Sequence, residues 1–313
     1  MRAVVIDQGK LSVEERPDPV PGDTEVLVAV RAAGLNGADV MQRAGRYPAP
    51  PGVPLDVPGL EIAGEVVEVG RQVRQAKVGD RVMALVGGGG QSTMAVVDES
   101  HLLPVPEGMT WAEAGGFPEV FSTAYDAVFT RCGLSVGDRL LVTGAAGGVG
   151  VAAIQLGAVA GARVVASVRD PDHRDAVAEL GAHAVVAPDD VPQHSPYDVV
   201  LELVGAASLP VVVPALATGA RVAVIGVGSG ATIELNLLDL MSRRATIGGS
   251  TLRSRSRGEK AAVAAAVLTH VLPLVVAGQV RVPVWARFPI DEVEAAYDRF
   301  TTGGKLGKIV LET

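Results

Sequence analysis

The sequence predicts an α/β chain: a doubly wound parallel sheet joined to a small β-barrel domain built from both ends of the chain. Three observations predict it. Val-rich runs alternate with helical segments after Gly133, short strands and turns fill the first ~115 residues, and a 57-residue tail carries no core of its own. The composition agrees, with 48% hydrophobic residues, only 4% aromatics and 38 glycines in 313 residues, as short β-branched strands cut by turns require.

The first part, residues 1–115, contains RAVVI (2–6), EVLVAVRAAG (25–34), GLEIAGEVVEVG (59–70), GDRVMALV (79–86) and STMAVVDE (92–99). Each is a strand bounded by Gly, Pro or Asp. Residues 47–59 hold five prolines and read as an irregular loop.

Residues 116–256 follow a βα rhythm. DRLLVTG (138–144) leads into a helix at 149–161, ARVVASV (162–168) into PDHRDAVAELG (171–181), and AHAVVA (182–187) into YDVVLELVG (197–205). ARVAVIGVG (220–228) and ATIGGS (245–250) complete the series. Pro171 behind Asp170 marks a helix start and Gly181 a stop. Successive βα units require parallel strands with right-handed crossovers. In residues 257–313 a helix from Arg257, a short strand, a helix at 291–302 and KIVLE (308–312) are expected to pack back on the first part.

A net charge of −8 and a pI near 5.2 argue against nucleic acid as a partner. Arg253, Arg255 and Arg257 read as a solvated loop with some cofactor contact. The lone Cys132 excludes an internal disulfide and suits a reducing, cytoplasmic compartment. No run of about 18 uninterrupted apolar residues appears, so no membrane span is expected.

The sharpest local signal is LLVTGAAGGVGVAAIQLG (140–157). A buried strand enters Gly144, and Gly147, Gly148 and Gly150 open a helix whose free N–H groups suit a pyrophosphate, as in a Rossmann site. Ala146 and Val149 complete this turn, and Ser167 closes the next strand. A carboxylate for the ribose would be expected near Val168, but Arg169 follows instead, with His173 one turn on. Cations there favour a 2′-phosphate, hence NADPH.

Several tracts resemble the medium-chain dehydrogenase/reductase superfamily: AAGLNGADVMQRAGRYPAPPG (32–52), PGLEIAGEVVEVG (58–70), FPEVFSTAYDAV (117–128), the glycine turn, STLRSRS (250–256) and GKIVLE (307–312). Within it they are similar to the zinc-free, zeta-crystallin-like NADPH:quinone oxidoreductases. The resemblance implies a GroES-like catalytic domain in two pieces around a Rossmann domain, a cleft at their junction, and a homodimer joined through the Rossmann sheets. The positions that match zinc ligands of the alcohol dehydrogenases carry Asn36 and Leu60, so no metal is expected. Glu61 reads as one half of a structural ion pair.

Without a Lewis acid, the resemblance implies hydride transfer to acceptors that are already electrophilic, quinones or enones. It implies that Asn36 donates an amide hydrogen bond beside the nicotinamide and that Tyr47 lines the substrate pocket. A second pocket tyrosine of some members is Met41 here. Thr123, Val204, Gly205, Gly226, Ser250 and Thr251 are expected along the nicotinamide half. The open alternatives are an NADPH-dependent enoyl or alkenal reductase, and a non-catalytic NADPH-binding protein.

Overall fold

The computed structural model describes residues 1–313. The chain divides into two compact units: Met1–Ser122 with Leu252–Thr313, and Thr123–Thr251. The rhythm of strands and helices in the sequence places these borders at 115/116 and 256/257. Local packing accounts for the difference: Glu119 N is bonded to Glu61 on β4 of the first unit, and Arg253 is bonded into the same unit.

The first unit opens with β1 (Arg2–Asp7) and β2 (Lys10–Glu15), an antiparallel hairpin. It continues with β3 (Glu25–Gly34), β4 (Glu61–Val69), β5 (Arg81–Leu85), β6 (Met94–Asp98) and β7 (Leu102–Pro104). Strands β2 and β7 were not anticipated. KLSVEE has one fully buried position and LLP is three residues long, so neither carries a legible period.

The second unit holds β8 (Arg139–Val142), β9 (Arg163–Ser167), β10 (Ala184–Val186), β11 (Tyr197–Glu202), β12 (Leu216–Val224) and β13 (Thr246–Gly249). All are parallel, in the order β10-β9-β8-β11-β12-β13. This is a doubly wound, Rossmann-type sheet. Its central strands are buried on both faces, as crossover helices demand. The helix Gly148–Val159 is apolar apart from Gln155 and buried from Gly150 to Gly157, so it belongs to the core.

The tail returns to the first unit as β14 (Val284–Pro289) and β15 (Lys308–Glu312). Strand β15 pairs with the C-terminal half of β3, and β6 with its N-terminal half. The resulting seven-stranded sheet runs β14-β15-β3-β4-β5-β7 with β6 attached to β3. Its core gathers Val26, Val28, Val30, Ile62, Val66, Val82, Ala84 and Val97.

The helical stretch Arg257–Val276 is long and apolar enough to cross a membrane by length and composition, with a mean hydropathy of 1.6, although no apolar run was evident. It is interrupted at Val271, where a second helix, Leu272–Val276, begins. Val263, Val267, Val271 and Leu272 are buried within the first unit, and Arg257 pairs with Asp98 at 2.8 Å. These contacts fit a packed helix pair.

Candidate active site

The glycine turn lies at the carboxyl end of β8. Gly144 has φ +59°, a conformation that suits glycine. Ala145 donates its N–H to Ser167 O at 3.1 Å, tying the turn to the end of β9. A Cβ on Gly150 would lie 2.7 Å from Ala145 backbone atoms, so only glycine lets the helix start so close to the turn. Gly147 caps the helix, and the N–H groups of Gly148, Val149 and Gly150 form its first turn without intrahelical acceptors. Ala146, Gly147, Gly148 and Val149 stay half-buried, leaving the turn open to a ligand. The cradle fits a pyrophosphate.

Beyond β9, Val168 is 2% exposed and cannot serve as a ribose acceptor. Arg169 is exposed and makes no hydrogen bond or ion pair. Its guanidinium is therefore available to an anionic ligand. His173 Nδ1 lies 3.3 Å from Asp170 Oδ2 without a hydrogen bond, and Asp170 caps the turn by accepting from Asp172 N.

At the end of β11 sits a group the sequence reading did not single out. Glu202 is fully buried. Its Oε1 accepts from the N–H groups of Val204 (2.7 Å) and Gly205 (2.8 Å), and its Oε2 from Ser208 Oγ (2.9 Å). Val204 O accepts from Ser229 N and Oγ. The polar backbone of 204–205 is thus spent within the unit, and what it offers a ligand is shape. A Cβ on Gly144 would meet Val204 Cγ2 at 3.3 Å, so this loop packs on the glycine turn. Thr143 adds a second tie by accepting from Leu203 N at 2.8 Å. Gly226 abuts Leu203 so closely that a Cβ would stand 2.4 Å from its carbonyl oxygen. Ser250 bonds Val224 O and Asp126, Thr251 is exposed, and Thr123 is 5% exposed.

In the first unit, Asn36 precedes the helix Gly37–Arg43 and is 8% exposed. Its Nδ2 donates to Gly34 O (3.3 Å) and Glu61 Oε1 (3.0 Å), and its Oδ1 accepts from Lys308 Nζ (2.7 Å). The opposite amide orientation would turn oxygen on the carboxylate and N–H on the ammonium, so the charges fix it. Both amide hydrogens of Asn36 are thus bonded within the unit. Lys308 Nζ also bonds Leu35 O (2.7 Å) and Glu61 Oε1 (2.6 Å), while Glu61 Oε2 accepts from Glu119 N (2.8 Å). Glu61 and Lys308 are 0% and 3% exposed, a fully buried ion pair. Gly34 makes room for it, since a Cβ there would lie 2.2 Å from Glu61 Oε1.

Asp39 lies in the same interior, accepting from the N–H groups of Asn36 (2.8 Å) and Gly59 (3.1 Å). Burial raises its pKa to about 6, against the lowering effect of those hydrogen bonds and of Lys308. Tyr47 is half-buried, and burial raises its phenol pKa above 10, with Glu119 adding to the rise and Arg253 opposing it. It therefore stays protonated at neutral pH. Arg253 is 5% exposed, which corrects the solvated-loop reading of this basic cluster. Arg257, at the far end of the cluster, is exposed.

Residues 22–107 match the alcohol dehydrogenase GroES-like domain, and residues 148–267 the zinc-binding dehydrogenase family. Pig (Sus scrofa) quinone oxidoreductase is 30% identical over 306 residues, covering 94% of this chain and 90% of its own. The chain belongs to the quinone oxidoreductase-like family of medium-chain dehydrogenases/reductases. Membership makes it an oxidoreductase that uses a nicotinamide cofactor and small-molecule substrates. The structure of an NAD-dependent alcohol dehydrogenase is 29% identical, with a TM-score of 0.86 and 100% of both chains covered. Residues amounting to 50% of this chain are 40% identical over 157 positions to polyketide synthase GfsB of Streptomyces halstedii, and cover 3% of that synthase. Family membership explains why the glycine turn was legible. The inward Asn36 and the buried Arg253 depend on long-range partners and left no local pattern.

Proposed function

We propose that this enzyme is a zinc-independent, NADPH-dependent quinone reductase. The observation that carries the reading is the Lys308 ammonium held by Asn36 Oδ1 and Glu61 Oε1. Asn36 and Leu60 occupy the metal-ligand positions of the zinc relatives, Leu60 is an apolar side chain 3% exposed, and a second cation there would face Lys308. A chain with this donor set is suited to acceptors whose own conjugation spreads the incoming negative charge.

When bound, the nicotinamide supplies a hydride. The first helical turn at Gly148–Gly150 would hold the pyrophosphate, and Arg169 would pair with the 2′-phosphate. Glu202 keeps the 203–208 loop in the shape that receives the nicotinamide half, with Thr123, Ser250 and Thr251 beside it. Tyr47 supplies a neutral phenol whose Oη proton can bond a developing oxyanion. Asn36 positions the helix Gly37–Arg43 and takes no proton.

An enoyl or alkenal reductase is the second reading, favoured by the similarity to polyketide synthase GfsB. NADPH oxidation measured with benzoquinones, naphthoquinones and 2-alkenals decides between them. Turnover of quinones supports the first reading; turnover of enals alone overturns it. We also read the enzyme as a cytoplasmic homodimer. Strand β13 leaves one sheet edge unpaired, and the neighbouring helix Leu237–Arg243 exposes Leu237, Leu238 and Met241 at 63%, 72% and 68%.

A further inference from the structure

We infer that Arg253 is a positioning residue for the electron acceptor, clamping both ends of the proline-rich loop 47–55. The inference rests on the quinone-reductase reading, in which Tyr47 faces the acceptor, and adds how that loop is held. Arg253 is the second residue of the chain's return segment, and its side chain fans into three contacts. Nε donates to Gly87 O at 2.7 Å, Nη1 to Tyr47 O at 3.0 Å, and Nη2 to Gln42 Oε1 at 2.7 Å. Gln42 in turn donates from Nε2 to Leu55 O at 3.1 Å. One guanidinium thereby reaches the first residue of the loop directly and the last through a single amide.

The aromatic ring is held as well as the backbone. The guanidinium carbon lies 5.2 Å from the centroid of the Tyr47 ring, within cation–π range. On its other side the guanidinium closes on the glycine tract 87–90. A Cβ on Gly88 would come within 3.4 Å of Nη2 and 3.3 Å of Val53, so clamp and loop close tightly on this glycine.

A loop rich in proline has few backbone N–H groups with which to anchor itself. Its shape must be imposed from outside, and the acceptor-facing ring depends on that shape. The fork is what suits the task. Arginine presents several N–H donors in one plane, whereas a lysine ammonium at the same place cannot span carbonyls of Gly87 and Tyr47 and the Gln42 amide together. Arg253 therefore acts through Tyr47 and the loop, and sets which acceptors fit.

The test uses the full-length enzyme and the Arg253→Lys, Arg253→Met and Gln42→Ala variants. Wild type is first run on quinones and 2-alkenals of increasing size, so that failure of the quinone assignment is seen separately from failure of the clamp. Variants are then compared on whichever acceptor class turns over. The expected result is a loss of tenfold or more in kcat/KM for the acceptor, carried mainly by KM, in both Arg253 variants. Discrimination between small and large acceptors shrinks with it, while the NADPH Kd read by fluorescence quenching stays within twofold. Gln42→Ala, which cuts one arm only, shows a smaller loss of the same kind and keeps the clamp testable if an Arg253 variant fails to fold. Wild-type acceptor discrimination in Arg253→Lys would reduce the role to charge alone and overturn the clamp. A parallel rise in NADPH Kd, or unchanged acceptor kinetics in Gln42→Ala, would also overturn it.

Discussion

Arg169 and Asp39 are both charged, and their surroundings assign them opposite tasks. Arg169 is exposed and unpartnered at the end of β9, so its charge is free for a ligand. Replacing it with alanine is expected to raise the KM for NADPH about tenfold or more, since a charge-assisted pair contributes on the order of 1.5–3 kcal/mol. The KM for NADH should not move; steady-state kinetics with both cofactors checks this, and an unchanged NADPH/NADH preference would defeat the assignment. Asp39 is buried, with its pKa raised from 3.8 to about 6. Between these values the folded state binds more protons than the unfolded one, so this group's contribution to stability falls as pH rises from about 4 to 6. Asp39→Asn should flatten that part of the curve relative to wild type, as thermal melts from pH 4 to 7 would show. Cys132 lies at the inert end of the scale, buried and with its thiol pushed up to about 11.

Among the elements, the glycine turn was the most legible, because its requirements are local: a strand end, positive φ at Gly144, and no side chain at Gly150. Gly150→Ala would drive a Cβ into Ala145. It is expected to destabilise the second unit by about 1–3 kcal/mol and to weaken NADPH binding, measured by melting and by fluorescence titration. The loop after β11 was only half legible. Its glycine suggested a close approach, but the carboxylate that shapes it reads in sequence as one more strand residue. Glu202→Ala leaves two amide N–H groups and the Ser208 hydroxyl without their acceptor. NADPH affinity should fall at least tenfold, with Glu202→Gln recovering part of it; a full-affinity alanine variant would remove Glu202 from the site. Strands β2 and β7 were illegible for a plainer reason, since they are too short or too exposed to show alternation.

For the whole molecule, the parallel sheet and the return of the tail to the first unit followed from the βα rhythm and from the tail's lack of a core. The buried interior of that unit did not. Lys308, Glu61 and Asn36 come from three distant stretches, with 247 residues separating the ion-paired partners. Nothing local marks them as neighbours. Assembly is tested at this scale too. Met241→Glu on the exposed apolar helix beside β13 should convert a dimer to a monomer, read by light scattering during size-exclusion chromatography. A monomeric wild type would end the dimer reading.

The distance between Lys308 and Glu61 also orders events during synthesis. Residues 123–251 form a contiguous unit and can complete their sheet while the ribosome is still making the remainder. The earlier strands cannot, because their internal carboxylate waits for an ammonium on β15, translated after residue 251. A polypeptide halted before Lys308 would carry a finished nucleotide-binding half tethered to an open, unneutralised one, the kind of product that chaperones and proteases intercept.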